Sequence, residues 1–160
     1  MQRVVFLLVA LLFCSANASF KVYLGTGTGK DQVPANNFVG TASVVFAVDS
    51  SRNYISFSYS TSGFVPADVE IRGPASLPNK TAGILFLSCL VDPCANSFQE
   101  EIRAGSTKFR NNANITFLID AITHGKAYVN FGLAQVRANL VPAVTASASA
   151  IWFSNYKLLP

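Results

Sequence analysis

Val44-Val45-Phe46-Ala47-Val48-Asp49-Ser50-Ser51-Arg52-Asn53-Tyr54-Ile55-Ser56-Phe57-Ser58-Tyr59-Ser60, residues 44–60, decides the fold class. Ile55, Phe57 and Tyr59 alternate with Ser56, Ser58 and Ser60. That period of two turns one side of a strand to a core and the other to water. Val44, Phe46 and Val48 form a second apolar face with the same period. Between the two runs, Asp49 to Asn53 are turn formers, whose short polar side chains bond their own backbone. Two alternating runs joined by such a turn predict an antiparallel hairpin.

The same pattern extends both ways along the chain. Phe20, Val22 and Leu24 alternate with Lys21 and Tyr23, which predicts an early strand with the first three inward. Val69 and Ile71 point one way, while Asp68, Glu70 and Arg72 point the other. Ile84 to Leu87 is apolar at every position, as in a strand covered on both faces. Further runs are Ala127 to Phe131, Gln135 to Leu140 and Ala148 to Phe153. Short strands separated by turn residues predict an all-β antiparallel sandwich or barrel.

One segment breaks the rhythm. Ile115, Leu118, Ile119 and Ile122 recur at helical spacing and Gly125 follows as a C-terminal cap, which predicts one short helix from about Thr116 to Thr123. The rival is a strand with Ile115, Phe117 and Ile119 inward. Phe98 and Ile102, four apart, predict a further helical turn within Ser97 to Ala104.

The chain opens with Arg3, an apolar stretch from Val4 to Phe13, and Ala16-Asn17-Ala18. A basic start, an apolar core and a small-x-small end describe a secretory signal peptide over residues 1–18, with the mature chain starting at Ser19. The apolar run is shorter than the roughly 20 residues that span a bilayer, so no membrane span is expected. Secretion to the extracellular space is the expected destination. Loss of Arg3 leaves 11 basic residues against 8 acidic ones, a net +3, scattered rather than clustered. Nucleic-acid binding calls for a basic stripe with interleaved aromatics, so none is expected.

Of the three cysteines, Cys14 leaves with the signal peptide, and Cys89 and Cys94 remain. In an oxidising compartment this even pair predicts a disulfide, the alternative being two free buried thiols. Two cysteines and a lone histidine, His124, do not supply four metal ligands, so no metal is expected. Export also gives meaning to Asn79-Lys80-Thr81 and Asn114-Ile115-Thr116 as N-glycosylation sequons at Asn79 and Asn114.

Charged residues make up only 12% of the chain and apolar ones 51%, leaving Ser, Thr, Asn and Gly to cover much of the surface of one domain. Gly25-Thr26-Gly27-Thr28-Gly29-Lys30 is one residue short of a phosphate loop and is followed by Asp31, so it reads as a flexible turn. His124 has no Gly-x-Ser-x-Gly elbow to serve. Its place after the helix fits dipole stabilisation better than catalysis. No catalytic residues and no cofactor are assigned. Tyr23, Tyr54, Trp152 and Tyr156 are the candidate exposed aromatics, for amphipathic rings suit protein or carbohydrate surfaces. The alternative for Trp152 is that it packs a C-terminal extension onto the domain.

Four blocks carry a resemblance. Gln32-Val33-Pro34 followed by Val39-Gly40-Thr41-Ala42 is one, and Ala67-Asp68-Val69-Glu70-Ile71-Arg72-Gly73-Pro74-Ala75 is the second. Gly125-Lys126-Ala127-Tyr128-Val129-Asn130 and Gln135-Val136-Arg137-Ala138-Asn139-Leu140 are the others. In this order and spacing they resemble the chordin-type (CHRD) domain family over roughly residues 20–140. The resemblance implies an immunoglobulin-like β-sandwich or barrel over residues 19–140, and the run Ala148 to Phe153 predicts that residues 141–160 form an extension with a final strand packed on the domain. It also implies an extracellular, non-catalytic binding or structural module. Family histidines fall on Glu70, Arg72 and Gly132 here, so a ligand held by histidines there has no counterpart in this chain. Glu70 and Arg72 instead suit an exposed ion pair, and with Tyr54 they are the candidate binding residues for a protein or glycan partner.

Two other functions stay open. One is a small secreted hydrolase with a carboxylate pair drawn from Asp68, Glu70 and Asp120. The other is a matrix or coat component that self-associates through strand edges.

Overall fold

The computed structural model describes residues 19–75, 82–89, 94–132 and 136–147. Residues 1–18, expected to be a signal peptide, Asn79 and its sequon, Gln135, the strand expected at 148–153, Trp152 and Tyr156 lie outside the described residues. Among the described residues, nine strands form one curled antiparallel sheet, a half-barrel, with one short α-helix. This is the expected all-β fold in its barrel form.

The strands are β1 (Ser19–Thr28), β2 (Thr41–Asp49), β3 (Tyr54–Ser62), β4 (Val69–Arg72), β5 (Ile84–Cys89), β6 (Ser97–Arg103), β7 (Tyr128–Phe131), β8 (Val136–Asn139) and β9 (Val141–Ser147). Across the sheet they run β5-β4-β7-β8-β1-β2-β3-β6, with β9 paired to β1. Gly27 faces Ala138 on β8, and Leu24 faces Val141 on β9. β8 and β9 are therefore two halves of one path along β1, and β9, absent from the expected elements, is its second half.

The β2–β3 hairpin forms as the alternation requires, with Val44, Phe46, Val48, Ile55, Phe57 and Tyr59 buried. In its turn, Asp49 Oδ1 accepts from the Ser51 amide (3.0 Å), the Ser51 hydroxyl (2.6 Å) and the Arg52 amide (3.2 Å). Asn53 takes a positive φ of 49° there, a conformation asparagine tolerates.

α1 spans Ile115–Thr123 and buries Ile115, Leu118, Ile119 and Ile122, so helical spacing prevails over the strand rival; Phe117 stays exposed. Asn114 caps its start, the side-chain oxygen accepting from the Phe117 amide at 2.9 Å. Gly125 (φ +64°) ends it: the Lys126 amide reaches the Ala121 carbonyl (2.8 Å) and the Gly125 amide the Ile122 carbonyl (3.1 Å), a Schellman closure.

Three expectations are corrected. In β1 the faces are reversed: Tyr23 is buried and Leu24 exposed. The cause is β8, whose backbone comes so close that a β-carbon on Gly27 would lie 2.7 Å from the Ala138 nitrogen and nearer still to the Arg137 carbonyl. Gly25 and Gly27 must therefore occupy the inner face, and alternation carries Tyr23 inward with them. For the same reason residues 25–28 are strand rather than flexible turn, and only Gly29–Asp31 form a 3-10 turn, capped by Thr28. Ser97 to Arg103 is strand β6, not a helical turn. Phe98 and Ile102 share a face at spacing four in a strand as well as in a helix, and pairing with Tyr59 and Ile55 decides between them.

Candidate functional site

Three of the four sequence blocks, and the Gln32 end of the fourth, meet on one side of the sheet, while Thr41 and Ala42 of the early block begin β2. β4, β7 and β8 are neighbours, with Glu70 opposite Asn130 and Asn130 opposite Arg137, while Arg72 stands opposite Tyr128 and Tyr128 opposite Asn139. The early block joins them from 98 residues away, because the Gln32 side-chain amide donates to Asn130 Oδ1 at 2.8 Å. The inward partners Val69, Ile71, Val129, Phe131, Val136 and Ala138 are sealed in the core, so alternation turns the polar members to the outer face.

That outer layer is a linked polar network. Glu70 accepts from Arg72 Nε and pairs with its terminal nitrogen, both at 2.7 Å. Arg72 also donates to the Ala82 carbonyl (3.2 Å), and the Ala82 amide donates to the Tyr128 hydroxyl (2.9 Å). The Arg137 guanidinium stacks 3.7 Å from the Tyr128 ring centroid, and its Nε donates to Asn139 Oδ1 at 2.9 Å. Arg137 is 1% exposed. Burial lowers its pKa, opposed by the nearby Tyr128 and Asp31. The Glu70–Arg72 pair corrects the expectation of a surface contact: its side chains are only 12% and 27% exposed. Desolvation and fixed geometry make it a structural tie between β4 and the Ala82 segment, in place of an exposed ion pair.

Tyr54 lies elsewhere, on β3, five strands from β4 in sheet order. It is half-buried, and its hydroxyl donates to Glu101 Oε1 at 3.1 Å. Arg103 sits 4.8 Å above its ring and holds Glu101 at 2.8 Å, and Phe20 meets the ring edge-on at 6.1 Å. Burial, then the Glu101 contact, raises the Tyr54 pKa, while Arg103 and Tyr54 hold Glu101 below the usual glutamate value. Tyr54 and the Glu70–Arg72 pair are therefore separate surfaces. Tyr23, a candidate exposed aromatic, is 3% exposed and belongs to the core.

The first and last strands of the sheet, β5 and β6, are tied to each other. Cys89, the last residue of β5, forms a disulfide with Cys94, three residues before β6. Beside it, the Ser88 hydroxyl donates to Glu100, which pairs with Lys108 at 2.6 Å. Lys108 also donates to the Ser88 carbonyl at 2.9 Å. Residues 108–110 lie along the free edge of β5, the Leu87 amide reaching the Lys108 carbonyl and the Arg110 amide the Leu85 carbonyl, each at 3.0 Å. The seam of the half-barrel is thus closed by a covalent bond, one ionic cluster and a short bridging segment.

Of the carboxylates weighed for hydrolysis, Glu70 is held by Arg72, and Asp120 is an exposed partner of His124 at 3.1 Å. His124 is the C-cap of α1, where a histidine meets the negative end of the helix dipole. Among the described residues, no three of His, Cys, Asp and Glu gather as metal ligands would. Asn114 is exposed, and its Oδ1 is the helix cap, which leaves the amide nitrogen that a glycan would occupy free of that role. No helix among the described residues is long and apolar enough to cross a membrane. Comparison with protein-family models, with curated proteins and with solved structures finds no match.

The network of Arg137, Asn130, Gln32 and Asn139 was missed by reasoning from sequence. Its only trace is polar residues at outward positions of two strands that otherwise read as apolar.

Proposed function

We propose that the protein is a secreted, non-catalytic binding or structural module of the chordin type, which engages a protein or glycan partner outside the cell. The observation that supports this best is the convergence of the four resembling blocks. They are scattered between residues 32 and 140, yet three of them and the Gln32 end of the fourth occupy the neighbouring strands β4, β7 and β8 and the segment hydrogen-bonded to them, while Thr41 and Ala42 begin β2 on the far side of β1. A shared framework of this kind is what family blocks preserve when the loops around them vary. The disulfide across the seam supports an oxidising compartment. Engagement of Glu70, Glu100 and Glu101 in ion pairs supports a carboxylate set that serves structure rather than hydrolysis.

Tyr54, with Arg103 and Glu101 around it, is the proposed contact point, an aromatic ring with polar neighbours at the surface. The test uses purified glycosylated protein as bait on a glycan array and against the extracellular fraction of the producing cells. A saturable partner lost on Tyr54→Ala supports the module. Absence of any saturable partner, together with turnover of a glycoside substrate abolished by Glu70→Gln, would overturn it.

A further inference from the structure

α1 leaves one large apolar side chain outside the core. Ile115, Leu118, Ile119 and Ile122 are sealed beneath the helix, whereas Phe117 is 43% exposed. Helical side chains lean back toward the N-terminus, so a ring at position 117 covers the turn that holds residues 113 and 114. Asn114 stands in that turn with extended backbone (φ −141°, ψ 178°), and both it and Thr116 are exposed. Its Oδ1 accepts from the Phe117 amide at 2.9 Å, which ties the Asn114 side-chain amide to the residue that carries the ring. The Nδ2 of the same amide plane is the glycan acceptor of the sequon Asn114-Ile115-Thr116.

We propose that the innermost N-acetylglucosamine of a glycan on Asn114 packs on the Phe117 ring, so that the sugar becomes a covalent cover for the start of α1. This rests on the secreted reading and gives the sequon a structural role with a second residue. In the transfer step, Nδ2 attacks the anomeric carbon of a lipid-linked oligosaccharide diphosphate, the lipid diphosphate leaves, and Nδ2 gives up one proton. Oδ1 takes no part in the new bond, so the helix cap survives it. Asp and Ser cap a helix as well as Asn does, but of these only Asn accepts a glycan. A pyranose suits a phenyl ring because one of its faces is lined with C–H bonds, whose positive ends meet the negative face of the π-system. Because the sugar is tethered, a contact too weak to hold a free monosaccharide still forms.

The test expresses residues 19–160 behind a foreign leader in eukaryotic cells that make high-mannose glycans, with Thr81→Ala to remove the other sequon. The foreign leader separates the two readings: failure of the chain's own leader in a parallel culture counts against secretion, not against the sugar contact. Peptide mapping by mass spectrometry is expected to find Asn114 occupied. An endoglycosidase then trims the glycan to one N-acetylglucosamine, and an amidase removes it whole, turning Asn114 into Asp, which caps equally well. The trimmed protein is expected to melt with the fully glycosylated one and about 3 °C above the amidase-treated one. That gap closes in Phe117→Ala and is kept in Phe117→Trp. The change from Asn to Asp is common to all these backgrounds, so the difference between them reports the ring alone. An unoccupied Asn114 overturns the proposal, as does the absence of a gap in the parent protein or a gap that persists unchanged in Phe117→Ala.

Discussion

Gly27 is constrained by the strand opposite it rather than by its own conformation. Any β-carbon there intrudes on the Arg137–Ala138 backbone, so Gly27→Ala must part β1 from β8. The expected cost is about 3 kcal/mol, at the upper end of overpacking effects, read from the shift in urea midpoint. Gly105 is the control: its φ is +81° and nothing lies within 4 Å of the added atom, so alanine there meets backbone strain alone, about 1 kcal/mol. Equal losses at the two positions would refute the close-approach argument. The tyrosines give a pH signature at the same scale. Burial raises the pKa of Tyr23, Tyr54 and Tyr59, so the folded protein keeps these protons to higher pH than the unfolded chain does. Their contribution is level below the ordinary phenol value of about 10 and is lost as pH rises beyond it. Urea midpoints measured from about pH 8 to about pH 11 are expected to stay flat from this source and then fall. Ultraviolet titration should show these phenols ionising later in the native than in the denatured protein.

Among the elements, the link between β5 and β6 carries the most, because these strands are consecutive in sequence yet stand at opposite ends of the sheet. A disulfide closing so short a ring restricts the unfolded chain modestly, by about 2 kcal/mol. Replacing Cys89 and Cys94 by alanine is expected to cost at least that, since the seam then rests on the Glu100, Ser88 and Lys108 cluster and the bridging segment 108–110. Adding Lys108→Met should cost more in the cysteine-free protein than in the wild type, a coupling that a double-mutant cycle in thermal unfolding measures. Simple additivity would mean that the disulfide and the ionic cluster do not act on one seam. What could be read from sequence at this scale follows the strength of local pattern. The β2–β3 hairpin, β4 and α1 were legible because alternation or helical spacing is strong there and the turn or cap residues agree with it. In β1 the hydrophobic pattern points to the wrong face, because two glycines, silent in such a pattern, choose the inner side. In β6 a spacing of four between Phe98 and Ile102 suits a helical turn and a strand alike, and only the partner strand distinguishes them.

For the whole molecule, register creates what no window of sequence contains. Glu70 and Arg72 could be paired from sequence because a strand puts i and i+2 on one side. Gln32 with Asn130, and Val141 with Leu24 and Val45, could not, since each depends on which strands become neighbours. β1 is the strand on which these long-range choices converge: it pairs with β2 along one side and with β8 and β9 along the other. It also begins at Ser19, directly after the expected cleavage point. Removal of residues 1–18 should therefore leave every ladder intact, and N-terminal sequencing of protein secreted by eukaryotic cells is expected to begin at Ser19. Removal of residues 1–24 is a different matter. It takes away all of the β1 residues that face β9 and the half of β1 that faces Leu24's partner Val45 through Val48. Tyr23 leaves the core with them. Because β8 retains only Gly27 and Thr28 as partners, the sheet would be held together across its middle by a short remnant. The shorter chain is expected to lose cooperative unfolding in circular dichroism, while the chain from Ser19 keeps a single sharp transition. If the chain from residue 25 unfolds just as sharply, β1 is not the strand that joins the two halves of the half-barrel.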